Sequence, residues 1–144
     1  MKVAIIPARG GSKRIPKKNI REFYHLPMIA WSIKAAQSSQ LFDRIIVSTD
    51  CQKIAEISQQ SGAEVPFIRP DDLANDFIGT VPVVKHAIEE LEVQGASISH
   101  ACCIYATAPF LKAEYLKSAW EKLEPSDLSF VFAITSFPFP VQRA

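Results

Sequence analysis

The sequence predicts an α/β protein with a mainly parallel, doubly wound sheet and helices on both faces. Three observations carry that reading. Short β-branched runs alternate with amphipathic stretches of helical spacing along the whole chain. The first run, "KVAII" at 2–6, is apolar throughout, as a strand covered on both faces must be. The connections between runs are long enough for right-handed crossovers between parallel strands.

Pro7 closes the first strand. "LPMIAWSIKAAQSS" at 26–39 places Ile29, Ile33 and Ala36 at helical spacing, with Pro27 near the start, where proline is tolerated. "RIIVST" at 44–49 is the second strand, and Asp50 stands where an N-cap belongs, before a helix carrying Ile54 and Ile57 and stopping at Gly62. A ligand contact is the lesser reading of Asp50. "AEVPFI" at 63–68 reads as a short third strand leading into the polar loop "RPDDLANDFIGT". From Thr80, "TVPVVKHAIEELEVQG" is an amphipathic helix with Val84, Ala87, Ile88 and Leu91 on its inner face and Gly95 at its end. "HACCIYA" at 100–106 is a fourth strand, 112–124 a helix, and "LSFVFAITS" at 128–136 a fifth strand. Trp31 and Trp120 fall on helices as packing residues, and His25, His86 and His100 are too scattered to suggest a ligand set.

With 144 residues, 48% of them apolar and 22% charged, the chain is sized and composed for one folded domain, 1–144. The three cysteines, Cys51, Cys102 and Cys103, have neither disulfide-framework nor metal-site spacing, which suits a reduced, cytoplasmic setting. No run approaches a membrane span, and the opening apolar run is too short for a signal peptide.

The net charge of +1 conceals an asymmetry. Residues 1–21 hold seven of the sixteen Lys and Arg and no acid. A nucleic-acid binder would spread basic residues over several elements and add aromatic platforms, so none is expected as a partner. A basic loop leaving the C-terminal end of a first parallel strand suits a small anion instead. Neither the P-loop pattern nor the dinucleotide fingerprint is present in "PARGGSKRIPKKN". Gly10 and Gly11 would let backbone N–H groups approach an anion, Ser12 adds a hydroxyl, and Arg9, Lys13, Arg14 and Lys18 supply cations. Lys17 and Arg21 read as solvated. If pyrophosphate leaves an attacked α-phosphorus, such cations stabilise the charge that grows on it.

The stretch "IPARGGSKRIPKKNI" resembles the N-terminal signature of the sugar-activating cytidylyltransferases, in particular the acylneuraminate (CMP-sialic acid synthetase) family. "LFDRIIVSTD", "GAEVPFIRPDDLANDFIGT" and "YATAP" agree in register, so the resemblance covers essentially the whole chain. It implies a Rossmann-like nucleotidyltransferase fold and transfer of CMP from CTP to the anomeric hydroxyl of a nonulosonic acid, with release of pyrophosphate. It implies nucleotide binding by Ala8, Arg9, Gly10, Gly11, Ser12, Lys13, Arg14, Lys18 and Asn19, with Arg9, Lys13 and Lys18 catalytic. Arg69 matches the arginine that reads cytosine; Asp76 matches a loop acid that binds or merely tethers; Thr80 falls beside the base or caps its helix.

Tyr105 stands where relatives acting on N-acetylneuraminate carry glutamine, and with the tail "SFPFPVQRA" it resembles the branch that activates pseudaminic acid. Tyr105, Thr107 and Gln142 are the implied sugar contacts. N-acetylneuraminate and legionaminate are the neighbouring choices, and the eight-carbon 3-deoxy-manno-octulosonate a more distant one. The family's metal-binding aspartates and dimerisation segment lie further along than residue 144, so the resemblance implies an N-terminal portion, no metal ligands within it, Mg2+ or Mn2+ as cofactor and a homodimer in the full-length protein. A nucleotide-binding module without catalysis is the reading from another class.

Overall fold

The computed structural model describes residues 1–12 and 15–136. Its centre is a three-stranded parallel sheet of β1 (Lys2–Pro7), β4 (Arg44–Ser48) and β5 (His100–Cys103), in the order β4-β1-β5. Val3 lies opposite Arg44 on one side and Ala101 on the other, so β1 is the middle strand. Its uninterrupted apolar character follows, because both faces are covered. Ala4, Ile6 and Ala8 join Val47 in a cluster with Ile29, Ile33 and Ala36 of α1 (Met28–Ser39), Ile54 of α2 (Gln52–Gln60) and Leu116 of α4 (Ala113–Leu123). Val3 and Ile5 point the other way, onto Ala87 of α3 (Thr80–Val93), with Val84, Ile88 and Phe67 around them. The sheet is doubly wound, as expected, with α1, α2 and α4 on one face and α3 on the other.

The strand order reverses at β1. From β1 the chain moves through α1 to β4 on one side, then returns through α3 to β5 on the other. The loops after β1 and β5 lie side by side at the C-terminal edge of the sheet and, with the segment that leads into α3, border a crevice there, where ligands of open α/β sheets bind.

Two expected strands are not found. The segment at 63–68 touches β4 only at Glu64, whose N–H donates to the Ile45 carbonyl and whose carbonyl accepts the Val47 N–H, each at 2.8 Å. Pro66 lacks the N–H that would carry the ladder on. The segment rejoins β4 further along, where the Arg69 N–H donates to the Thr49 carbonyl at 2.8 Å. Residues 128–136 form no strand either: Leu128, Phe130, Phe132 and Ile134 alternate correctly but all are exposed. Alternation makes a strand only where a neighbouring edge accepts its hydrogen bonds and a surface takes its apolar face.

A small hairpin precedes α1, pairing β2 (Glu22–Phe23) with β3 (Leu26–Pro27) through Tyr24 and His25, both at positive φ. Its Phe23 carbonyl accepts the Trp31 Nε1–H at 2.9 Å, which accounts for the half-buried Trp31. No helix among the described residues is long and apolar enough to cross a membrane.

Candidate functional site

The crevice at the switch point is a cleft of about 750 Å³, within the usual range for small-ligand sites. Arg9, Ser12, Lys18 and Asn19 wall it from the loop after β1; Arg69, Asp76 and Thr80 from the segment before and at the start of α3; and Tyr105, Ala106 and Thr107 from the end of β5. Residues far apart in sequence thus meet because the loops after β1 and β5 and the segment that passes the end of β4 at Arg69 open at the same edge of the sheet. Lys17 does not line the cleft, as expected. Lys13, Arg14 and Gln142 lie outside the described residues.

The loop is fastened at several points. The Ala8 N–H donates to the Ser48 carbonyl at 2.9 Å, extending the sheet pattern one residue past β1. The buried Asn19 turns its Nδ2 to the Arg9 carbonyl at 2.9 Å, so its amide holds the loop's own backbone. Asp50 accepts the Gly10 N–H on Oδ1 at 2.9 Å.

That last bond corrects two expectations. Asp50 does not cap α2: Cys51 occupies the capping position without a side-chain bond, and its N–H is taken by Thr49 Oγ1 at 3.1 Å. A carboxylate gains more from the Gly10 amide and a nearby guanidinium than from a solvated helix end. The Gly10 N–H, for its part, faces this carboxylate rather than an open anion site. Gly10 is required for a different reason: a Cβ there would come within 2.9 Å of Cys51 Cβ. A Cβ at Gly11 would meet nothing within 4 Å among the described residues. Nor does Thr80 cap α3, because Gly79 holds that place and Thr80 begins the helix.

Arg69 is the most unusual residue of the cleft. It is 3% exposed, and among the described residues its Nε and Nη2 have no hydrogen-bond partner. Asp50 Oδ1 lies 3.5 Å from Nη2, an ion pair without hydrogen-bond geometry. Burial pushes the guanidinium below its ordinary pKa, Asp50 opposes that shift, and Arg9 adds to it. Orphaned donors on a buried cation are costly, and they mark a place for an acceptor. Nearer the mouth, Arg9 Nη2 pairs with Asp76 Oδ1 at 2.6 Å, each side chain about one-third exposed (34% and 33%). On the β5 side, the Tyr105 hydroxyl lies 3.4 Å from Thr80 Oγ1.

Asp76 is the acid that lines the cleft, paired with Arg9, and Asp50 stands behind it against Arg69. Among the described residues no group of three or more His, Cys, Asp or Glu could hold a metal ion. These residues do not fit a metal cage, and no chemical step is assigned to one here. Burial, with Cys103 adding, pushes the Cys102 thiol up to about 11, which makes it a poor nucleophile near neutral pH.

A parallel α/β sheet with a cleft at its strand-order reversal, walled by cations of the loop after its first strand, places the chain in the doubly wound α/β class, whose ligands bind at that edge. The family model described as cytidylyltransferase matches residues 3–136. The pseudaminic acid cytidylyltransferase of Campylobacter jejuni is 46% identical over 99% of this chain and 61% of its own length. The CMP-N,N'-diacetyllegionaminic acid synthase of Legionella pneumophila is 38% identical over 83% of this chain and 51% of its own. A solved CMP:2-keto-3-deoxy-manno-octonic acid synthetase complexed with CTP superposes with a TM-score of 0.73 over 86% of this chain and 47% of that one. At 18% identity that likeness shows the fold. The chain belongs to the cytidylyltransferase family. It spans about 61% of the length of the first curated relatives it matches.

Of the expected cations, Arg9, Lys18 and Arg69 line the cleft, and the braces behind them are not found from the sequence. Asp50 was read as a cap, and Ser32, whose hydroxyl donates to the Tyr105 carbonyl at 2.8 Å from the middle of α1, carries no motif at all.

Proposed function

We propose that the complete protein transfers CMP from CTP to the anomeric hydroxyl of a nonulosonic acid, with pseudaminic acid the preferred substrate. The observation that carries the reading is the buried Arg69, whose Nε and Nη2 have no hydrogen-bond partner among the described residues, in a cleft that Arg9 and Lys18 also line. Cytosine offers adjacent O2 and N3 acceptors, which a planar guanidinium fork suits. The 46% identity to a pseudaminic acid cytidylyltransferase supports the choice of sugar.

In this reading Arg9, Ser12 and Lys18, together with Lys13 and Arg14, take the triphosphate near Ala8, Gly10, Gly11 and Asn19. The anomeric oxygen attacks the α-phosphorus and loses its proton, the bond to the β-phosphate oxygen breaks, and pyrophosphate leaves. Arg9, Lys13 and Lys18 stabilise the charge on the departing group. Tyr105, Thr107 and Gln142 meet the sugar acid, and Asp76 and Thr80 border the nucleotide. A divalent metal, Mg2+ or Mn2+, is assigned to ligands outside the described residues; a homodimer and a cytoplasmic location complete the reading.

Pyrophosphate release by the complete encoded protein, with CTP and a panel of sugar acids, tests it. Turnover with pseudaminic acid above legionaminic and N-acetylneuraminic acids is the expected result. Turnover with the eight-carbon acid alone would refute the reading, and CTP binding with no product from any acid would favour a non-catalytic nucleotide module.

A further inference from the structure

The functional reading above gives Tyr105 to the sugar acid, and the inference here rests on it. Tyr105 leaves the sheet directly after β5 with 62% of its surface exposed, so packing holds its ring only in part. Its hydroxyl reaches Thr80 Oγ1 at 3.4 Å, the far limit of a hydrogen bond. The backbone beneath the ring is held much better. The Ile104 N–H donates to the Ile5 carbonyl at 2.9 Å, and the Tyr105 carbonyl accepts the hydroxyl of Ser32 at 2.8 Å.

Ser32 is fully buried, in the middle of α1. A serine inside a helix commonly returns its hydroxyl to a carbonyl one turn back. Ser58 does this to Ile54 at 2.7 Å, and Ser39 does it to Ala36 at 2.6 Å. Ser32 instead reaches a strand end 73 residues away. Alanine would suit the helix interior better, so what this hydroxyl serves is the strand end.

We propose that Ser32 is a positioning residue for sugar-acid selection: by fixing the Tyr105 carbonyl it fixes the direction from which the Tyr105 ring stands across the cleft toward Thr80. Without that bond the peptide between Tyr105 and the buried Ala106 loses its side-chain anchor, and the Tyr105 ring shifts with it while Ala106 stays held in the core. The sugar side of the cleft is disturbed, while Arg9, Lys18 and Arg69 keep their places.

The test is a double-mutant cycle in the complete encoded protein, reading the KM of the sugar acid and of CTP separately by pyrophosphate release. Ser32→Ala is expected to raise the KM of the preferred acid about tenfold, equivalent to about 1.4 kcal/mol, with a smaller effect on the KM of CTP. It is also expected to narrow the preference among pseudaminic, legionaminic and N-acetylneuraminic acids. In a Tyr105→Ala background the same change is expected to add less than about twofold, because the ring it positions is gone. Ser32→Cys, similar in volume but a weak donor, is the second variant and should show the same split if the alanine protein folds poorly.

An unchanged sugar-acid KM, an equal rise in both KM values, or effects that multiply in full in the double variant would overturn the proposal. These outcomes presuppose turnover by the parent protein. A parent that releases no pyrophosphate with any of the acids would overturn the functional reading and this inference with it.

Discussion

The Oδ1 of Asp50 accepts the N–H of Gly10 at 2.9 Å, so the end of β4 is bound to the loop that follows β1. The same oxygen lies 3.5 Å from the buried Arg69 guanidinium, and one carboxylate thereby braces two walls of the cleft. Asp50→Ala removes a charged acceptor and the counter-charge of a buried cation, and is expected to cost about 2–3 kcal/mol of stability. Asp50→Asn keeps an acceptor for Gly10 but loses the charge, and should fall between alanine and the parent. Urea denaturation measures both. Two variants within about 0.5 kcal/mol of the parent would show that the brace is not felt.

Gly10 and Gly11 look alike in sequence but should respond differently to alanine. At Gly10 the new methyl meets Cys51 Cβ at 2.9 Å, with the Gly10 N–H and carbonyl both hydrogen-bonded, whereas at Gly11 nothing among the described residues stands within 4 Å. Gly10→Ala is expected to cost about 1–3 kcal/mol, the range of overpacked sites, and Gly11→Ala less than about 0.5 kcal/mol. Thermal melts of the two variants side by side decide the matter, and equal losses would contradict the geometry.

For Arg69 the expected effect is on binding. Lysine preserves the charge but not the planar fork, and Arg69→Lys is expected to weaken CTP about 10- to 100-fold by calorimetry. Lys17→Ala, in the same basic run but away from the cleft, should leave CTP affinity within about twofold. Similar losses in both variants would return the basic run to the status of a general electrostatic surface.

Cys102 predicts a pH dependence at the alkaline end. Its thiol is pushed up to about 11 in the folded protein from an ordinary value of 9.0, chiefly by burial. Between those limits the unfolded chain releases a proton that the folded chain keeps, so stability is intact below about pH 9 and falls as pH rises toward 11. Cys102→Ala should flatten this part of the profile by on the order of 2 kcal/mol relative to the parent, as followed by urea midpoints at stepped pH. A parent and variant with parallel profiles would show that the thiol is not the group responsible.

Much of the fold was legible because helices and parallel strands leave strong local patterns. Ile29, Ile33 and Ala36 of α1, and Ala87 and Leu91 of α3, are buried where their spacing puts them. The segments at 63–68 and 128–136 were not legible, since strand pairing depends on a neighbour and on a free N–H at the right place. Pro66 ends the first after a single bridge, and the apolar residues of the second stand exposed. The candidate site divides in the same way. A motif can show that Arg9, Lys18, Arg69 and Tyr105 belong near one another, but Asp50 and Ser32 act through one hydrogen bond each to a backbone distant in sequence.

By itself the sequence determined the α/β class, the central buried strand and the cationic character of the loop after it, because each follows from residue type and spacing over short distances. The tertiary structure alone decided that β1 is flanked by β4 and β5, and that the crevice so formed holds Arg9, Arg69 and Tyr105 together. It also decided that the Gly10 amide faces Asp50 and that the Ser32 hydroxyl leaves its helix for Tyr105. Those are choices among partners, and a donor's partner is set by which acceptor the packed chain brings within 3 Å, a distance that no local pattern encodes.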